Sequence, residues 1–262
     1  MDNKLKGIAR AGYAAKGAVY AIAGILTFLG ALNIGGQKAG KFEVLEFLER
    51  QPFGKFLLIV MGFGLISYAI WRFIQSFSDP DHLGKDTKAI IKRISFFISG
   101  LLYLAFAVTA LLRVISPGKS GISSGSADKS HFLSTTTGLI LLGLGGLIII
   151  ISAFAQFKKA YKDEYLKEFD TSSIADEKKR KTIEATARFG LIARGVIFLI
   201  IGYFAIRAAF HSNPSEIKST RDVFSFIEHG SYGAWLLGAV SAGLVAYAIY
   251  MFLLSKYRKF RV

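Results

Sequence analysis

Arg10, Arg93 and Arg188 each stand near the start of a helix-length apolar run, and Lys16 and Arg194 lie deeper in two of those runs. Cations that recur at matching positions can gather into one rim that attracts anions, lipid phosphates or an acidic partner. Their place near one end of each run gives the competing expectation, that the long side chains snorkel back to the membrane surface. Lys16 and Arg194 discriminate between the two, because a truly buried charge needs a partner or water.

The remaining reactive side chains point nowhere else. Glu43, Glu46 and Glu49, with Asp222 and Glu228, form acidic faces on two short connecting segments, where Arg113 and Arg207 are available to pair with them. His82, His131, His211 and His229 fall in connections or at the ends of apolar runs, and no HExxH spacing is present. Ser67, Ser99 and Ser152 lack an adjacent base. The glycines of LLGLGGLI, residues 141–148, lie inside an apolar run without a strand–turn–helix context, so they read as packing positions rather than a nucleotide loop. No enzyme, cofactor or metal site is expected, and without cysteine there is no thiolate or disulfide chemistry.

The elements that position these groups are membrane helices. Hydrophobic residues make up 52% of 262 positions, and the mean hydropathy is +0.43. They gather into six runs, about 8–32, 53–73, 91–115, 132–157, 187–210 and 232–254, each long enough to cross a ~30 Å hydrocarbon layer. Residues 41–51 and 220–231 read as short amphipathic helices outside the crossings. Tyr68 and Trp71 are placed as interfacial anchors. Pro117–Ser130 reads as a loop, and 158–187 as a charged linker carrying two helices outside the bilayer.

The net charge of +15 would signal nucleic acid in a soluble protein. Here the positive residues cluster between the spans, so a nucleic-acid partner is not expected. The flanks 1–10, 72–93, 158–188 and 256–262 carry 21 Lys and Arg, against 7 in the connections 33–53, 114–131 and 211–231. The positive-inside bias then places both termini in the cytoplasm of a bacterial cytoplasmic (inner) membrane.

The chain is internally repeated. Gly17, Gly24, Gly64 and Tyr68 correspond to Gly195, Gly202, Gly243 and Tyr247, while the middle unit keeps Arg93, Gly100 and Tyr103. The glycines permit close helix packing. Repeat 1 spans 8–80, repeat 2 spans 91–162 and is degenerate, a linker spans 163–186, and repeat 3 spans 187–257. Each unit crosses twice, so the repeats are parallel. The expected fold is an all-α polytopic membrane protein, six transmembrane helices forming a pseudo-threefold bundle with short outer amphipathic helices.

The opening Arg10, Gly12, Gly17, Gly24 with Gly64, Leu65, Tyr68, Ala69, repeated as Arg188, Gly190, Gly195, Gly202 with Gly243, Leu244, Tyr247, Ala248, resembles the bacterial integral membrane proteins of domain-of-unknown-function family 1206. The resemblance covers nearly the whole chain. It implies three two-helix repeats and brings no activity with it. The chain departs from threefold equivalence where Lys16 replaces an arginine and Ser99 replaces a base. The leading expectation is a non-enzymatic membrane scaffold or accessory component, touching anionic lipid headgroups and reaching a protein partner through the linker. Its alternatives are a lipid-headgroup-binding protein, or a channel or transporter for a small solute or anion, with Thr27, Ser67, Ser99 and Thr109 along the route.

Overall fold

The computed structural model describes residues 3–117, 135–170, 175–211, 216–229 and 232–259. Its elements are α1 (Asn3–Ala31), α2 (Lys41–Glu49), α3 (Gly54–Phe77), α4 (Thr87–Ile115), α5 (Thr136–Tyr161), a 3-10 turn (Glu164–Glu168), α6 (Glu177–Phe210), α7 (Thr220–Glu228) and α8 (Gly233–Tyr257). Six of them, α1, α3, α4, α5, α6 and α8, are long and apolar enough to cross a membrane. Both short outer helices occur where the acidic–aromatic pattern places them. The chain thus has two ends to describe, a terminal face bearing the termini and a loop face bearing α2 and α7.

One expected boundary is wrong. The second linker helix is not separate from the fifth span: α6 runs unbroken for 34 residues from Glu177. No proline or glycine interrupts 177–189, and Asp176 starts the helix by accepting the amides of Lys178 and Lys179. The loop expected at Pro117–Ser130 lies, beyond Pro117, outside the described residues.

Helix packing follows the repeats. The first helix of each unit lies along the second helix of another unit: α1 on α8, α4 on α3, α6 on α5. One phenylalanine–glycine contact recurs at all three of these crossings. A methyl added at Gly17, Gly100 or Gly195 would meet the ring of Phe252, Phe73 or Phe157 at 3.0, 2.7 or 2.5 Å. Dispersion gained over such close approach takes the place of the hydrophobic effect between helices in lipid.

Within repeats 1 and 3 the two helices also pack, α1 on α3 and α6 on α8. A methyl at Gly12 would lie 2.5 Å from Cα of Tyr68, and one at Gly190 would lie 2.5 Å from Cα of Tyr247. Gly64 abuts Ala15 and Gly243 abuts Ala193 in the same way. Repeat 2 has Ile98 and Ile148 at the positions of Ala15 and Gly64. Both isoleucines are exposed, and α4 and α5 do not pack along their length. Bulk at that crossing explains why one contact around the bundle is missing.

The outer helices close the loop face. Val44 and Leu45 of α2, and Val223 and Phe224 of α7, are fully buried. Arg113 at the end of α4 donates to Glu49 of α2 at 2.6 Å, one of the expected outer pairs. Arg207 instead meets Glu216 at 3.0 Å, and Glu228 pairs with Lys38. Asp222 serves α7 as half of a capping box with Ser219.

Candidate functional site

Lys16 is not a snorkelling lysine. It faces the seam where α1 meets α3 and α8, and it is 3% exposed. Its ammonium donates to the Tyr68 hydroxyl at 2.9 Å and stands 4.8, 5.4 and 5.6 Å from the ring centroids of Tyr68, Tyr103 and Tyr247. Those rings come from α3, α4 and α8, so every repeat contributes to, or borders, one cage. Ring faces stabilise a desolvated cation by quadrupole attraction, about 2 kcal/mol where water is excluded. The backbone contact of Gly12 with Tyr68 is what brings the phenol within reach.

Further cations share the same rings. Arg194 of α6 donates to the Tyr247 hydroxyl at 2.6 Å and lies over Tyr20 and Tyr247 at 5.7 and 5.0 Å. Its Nε is buried with no hydrogen-bond partner. Lys41 of α2 stands over Tyr103 and Tyr20 from the loop-face side, at 4.8 and 5.9 Å. Arg72, one turn along α3 from Tyr68, donates to the same phenol oxygen through Nε at 2.8 Å. The charged groups acting most strongly on Lys16 are Arg194, Arg72, Lys41 and Lys159, all of them cations.

Carboxylates enter only toward the terminal face. Arg72 donates to Gln75 at 2.8 Å, and Gln75 donates to Asp81 at 2.6 Å. Asp81 accepts from Arg258 at 3.2 Å, and Arg258 also donates to the buried Tyr13 hydroxyl at 2.7 Å. Beside them Glu168, from the 3-10 turn, accepts from Lys159 at 2.8 Å and from Tyr250 at 2.7 Å. Burial pushes the Glu168 carboxyl up, but Lys159, Arg258 and the Tyr250 hydroxyl outweigh it and hold the group down to about 2. A polar chain therefore runs from Lys16 to the terminal face, rich in cations at its centre and neutralised only at its end.

The other expected contacts separate from this cluster. Arg10 is exposed, and its carbonyl accepts from Ser255 at 2.7 Å. Arg93 donates to the carbonyls of Ser76 and Phe77, closing the end of α3. Arg188 pairs with Asp163 at 3.0 Å. The Tyr165 hydroxyl and Arg188 hold the Asp163 carboxyl below its usual range. Shallow grooves run beside Arg93 with Ile94 and Phe97, and beside Arg188 with Phe189 and Ile192, at equivalent places in two repeats. The three arginines thus mark a rim and do not converge, whereas Lys16 and Arg194 do.

Of the polar residues expected along a route, Ser99 stands at the position of Lys16 in the middle repeat, and Ser67 directly precedes Tyr68. Thr27 accepts the Ala39 amide at 3.0 Å, and Ser67 and Thr109 bond their own helix carbonyls. Tyr68 and Trp71 are no interfacial anchors: they are 0% and 1% exposed and line the interior. Sequence reasoning missed Arg72, Lys159, Glu168 and Arg258. A usable signal existed for Arg72, which follows Tyr68 by one helical turn. Glu168 had none, because a 3-10 turn outside the spans folds back into the bundle.

Chemically, the centre offers buried ammonium and guanidinium donors with phenol hydroxyls, and among the described residues no carboxylate bonds to Lys16, Arg194 or Arg72. Each uncompensated buried charge costs several kcal/mol. An anion supplied from solution would relieve that cost. Among the described residues no group of His, Asp and Glu could hold a metal ion.

The family described as Domain of Unknown Function (DUF1206) matches the chain three times, at residues 11–79, 94–163 and 189–258. Those bounds fall on the three helix pairs described above. The "Uncharacterized protein YxxB" of Bacillus subtilis (strain 168) is 32% identical over 254 residues, covering 97% of this chain and 91% of that protein. No solved structure matches.

Proposed function

This chain belongs to the DUF1206 family, which brings no activity with it, and from the interior site we propose that the protein binds small anions within the membrane and passes them across it. The observation that carries this reading is the burial of Lys16, 3% exposed, sharing Tyr247 with Arg194, Tyr68 with Arg72 and Tyr103 with Lys41. A scaffold needs the glycine-packed seams and gains nothing from uncompensated charge at their centre. A pathway for anions needs that charge, because desolvating an anion in the bilayer is as costly as desolvating a cation. Tyrosine hydroxyls at 2.6–2.9 Å from the cations supply donors of the kind that replace an anion's hydration shell.

In the arrangement we infer, the three repeats form a pseudo-threefold ring, supported by the three equivalent glycine–phenylalanine crossings and opened between α4 and α5. The protein lies in a bacterial cytoplasmic membrane with its terminal face toward the cytoplasm, as the distribution of Lys and Arg supports. Anions arriving at the loop face meet Lys41, then Lys16 and Arg194, then Arg72.

Reconstitution into liposomes tests the reading with chloride and nitrate gradients. Wild type conducts or exchanges these anions. Lys16→Met, which keeps the length of the side chain without its charge, and Arg194→Gln reduce the rate at least about tenfold, the equivalent of 1.4 kcal/mol. Unchanged rates in both variants, or no anion flux in wild type, would falsify the proposal.

A further inference from the structure

Glu168 meets a pocket of the same chemistry as the central site. Lys159 contributes an ammonium at 2.8 Å, Tyr250 a hydroxyl at 2.7 Å, and Arg258 a guanidinium nitrogen at 4.0 Å. Lys159 also stands over the Tyr250 ring at 5.6 Å, as Lys16 stands over Tyr247 at the same separation. In both places a cation, a phenol and a second cation face one small volume. The difference is the occupant: the terminal pocket holds a carboxylate that the chain itself provides.

That carboxylate does not belong to a span. It ends the 3-10 turn between α5 and α6, which is seated by Tyr165 and Phe169, 0% and 2% exposed. The turn is tied to the C-terminal segment by main-chain bonds, Asp170 to Tyr257 at 3.1 Å and Lys259 to Glu168 at 2.8 Å. The Glu168 side chain can therefore leave its two donors and the Arg258 guanidinium while these backbone anchors stay in place, a rotation about side-chain bonds alone. Arg258 keeps Asp81 and Tyr13 as partners when it does so. Lys159 and Tyr250 are the groups left open.

We propose that Lys159, Tyr250 and Arg258 form a second site for small inorganic anions, at the terminal end of the pathway, and that Glu168 is a tethered carboxylate occupying it until an anion displaces it. This inference rests on the anion-pathway reading above. The site takes a monovalent anion of the size of a carboxylate head, such as nitrate or chloride. Occupancy by Glu168 and by the anion exclude each other, so the side chain sets how readily the terminal end admits solute. A structural ion pair alone would need one cation for Glu168. Here two cations and a phenol converge on it, while Asp81 already serves Arg258 and Gln75.

The experiment is nitrate and chloride flux through full-length protein in liposomes, with nitrate-dependent shifts in melting temperature measured on the same preparations. Glu168→Gln keeps the shape and removes the competing charge, so flux rises about tenfold and nitrate stabilises the variant more than wild type. Glu168→Ala removes the carboxylate outright and leaves all three site residues in place, so flux rises by a comparable factor even where Glu168→Gln fails to fold. Glu168→Asp, which keeps the charge, stays nearer wild type than Glu168→Gln. Lys16-dependent flux that both Glu168→Gln and Glu168→Ala leave within about twofold, under half a kcal/mol, overturns the second site and leaves the pathway standing. Absence of flux and of nitrate stabilisation in wild type and variants alike overturns both.

Discussion

Replacing Gly12 by alanine tests whether the seam between α1 and α3 builds the cage around Lys16. The added methyl would sit 2.5 Å from Cα and 2.6 Å from the amide nitrogen of Tyr68. Carbon contacts settle near 3.5–4 Å, so the helices must part by roughly 1 Å where they cross. Backbone cannot rotate aside as a side chain can, and overpacking of this kind costs about 1–3 kcal/mol. The gain in helix propensity from Gly to Ala is at most about 1 kcal/mol, and less in a bilayer where the separated helix is already formed. The expected result is a net loss of about 1–2 kcal/mol, together with a longer Lys16–Tyr68 hydrogen bond and weaker anion flux. Gly190→Ala, which meets Tyr247 at the same 2.5 Å, loses a similar amount. Gly145→Ala and Gly238→Ala provide the control, since a methyl at either position meets nothing within 4 Å. Thermal unfolding of the detergent-purified proteins gives the four shifts. The reasoning fails if Gly12→Ala and Gly190→Ala melt at or above wild type, or if the two controls fall as far.

Three further outcomes follow from particular contacts. Arg113 and Glu49 form a largely buried pair, 8% and 17% exposed; Glu49→Gln lowers stability by about 3 kcal/mol, and adding Arg113→Met restores part of it. A double variant no more stable than the single one contradicts this. Glu168 is held at about 2 against an ordinary 4.5, with Lys159, Tyr250, Arg258 and Arg72 as the groups around it. A depressed carboxyl stabilises the fold above its unfolded pKa, so this contribution, on the order of 3 kcal/mol, is intact above about pH 4.5 and is lost as pH falls toward 2. Melting curves from pH 6 to 3 should fall less steeply in Glu168→Gln; parallel curves contradict it. The chain contains no cysteine, so single cysteines report sidedness without background. Arg50→Cys labels with an impermeant maleimide in intact cells, Lys85→Cys only after lysis, and the reverse pattern inverts the orientation.

The spans, the repeats and the glycine seams were legible because each is local or periodic: a helix-length apolar run, or a small residue recurring at the same register. Lys16 was conspicuous as a charge in such a run, yet its depth alone favoured snorkelling over burial. The decision comes from tertiary contacts, Gly12 admitting Tyr68 and α8 delivering Tyr247. Tyr68 and Trp71 were misplaced for a related reason. Aromatic residues near a span end are usual at the interface, and only the neighbouring helices turn these two inward. Glu168 was invisible because its place depends on a turn pairing with the far C-terminal segment. The missing contact in repeat 2 was written in Ile98 and Ile148, at positions the other repeats give to alanine and glycine.

The packing of α1 against α8 joins the earliest of the described helices in the sequence to the latest. While the chain is being synthesised, Lys16 enters the bilayer before Tyr247 is present to take its place in the cage. Until α8 arrives the ammonium has at most two of its three rings, and its desolvation is correspondingly more costly. The cage is therefore closed only once α8 has been made and laid against α1.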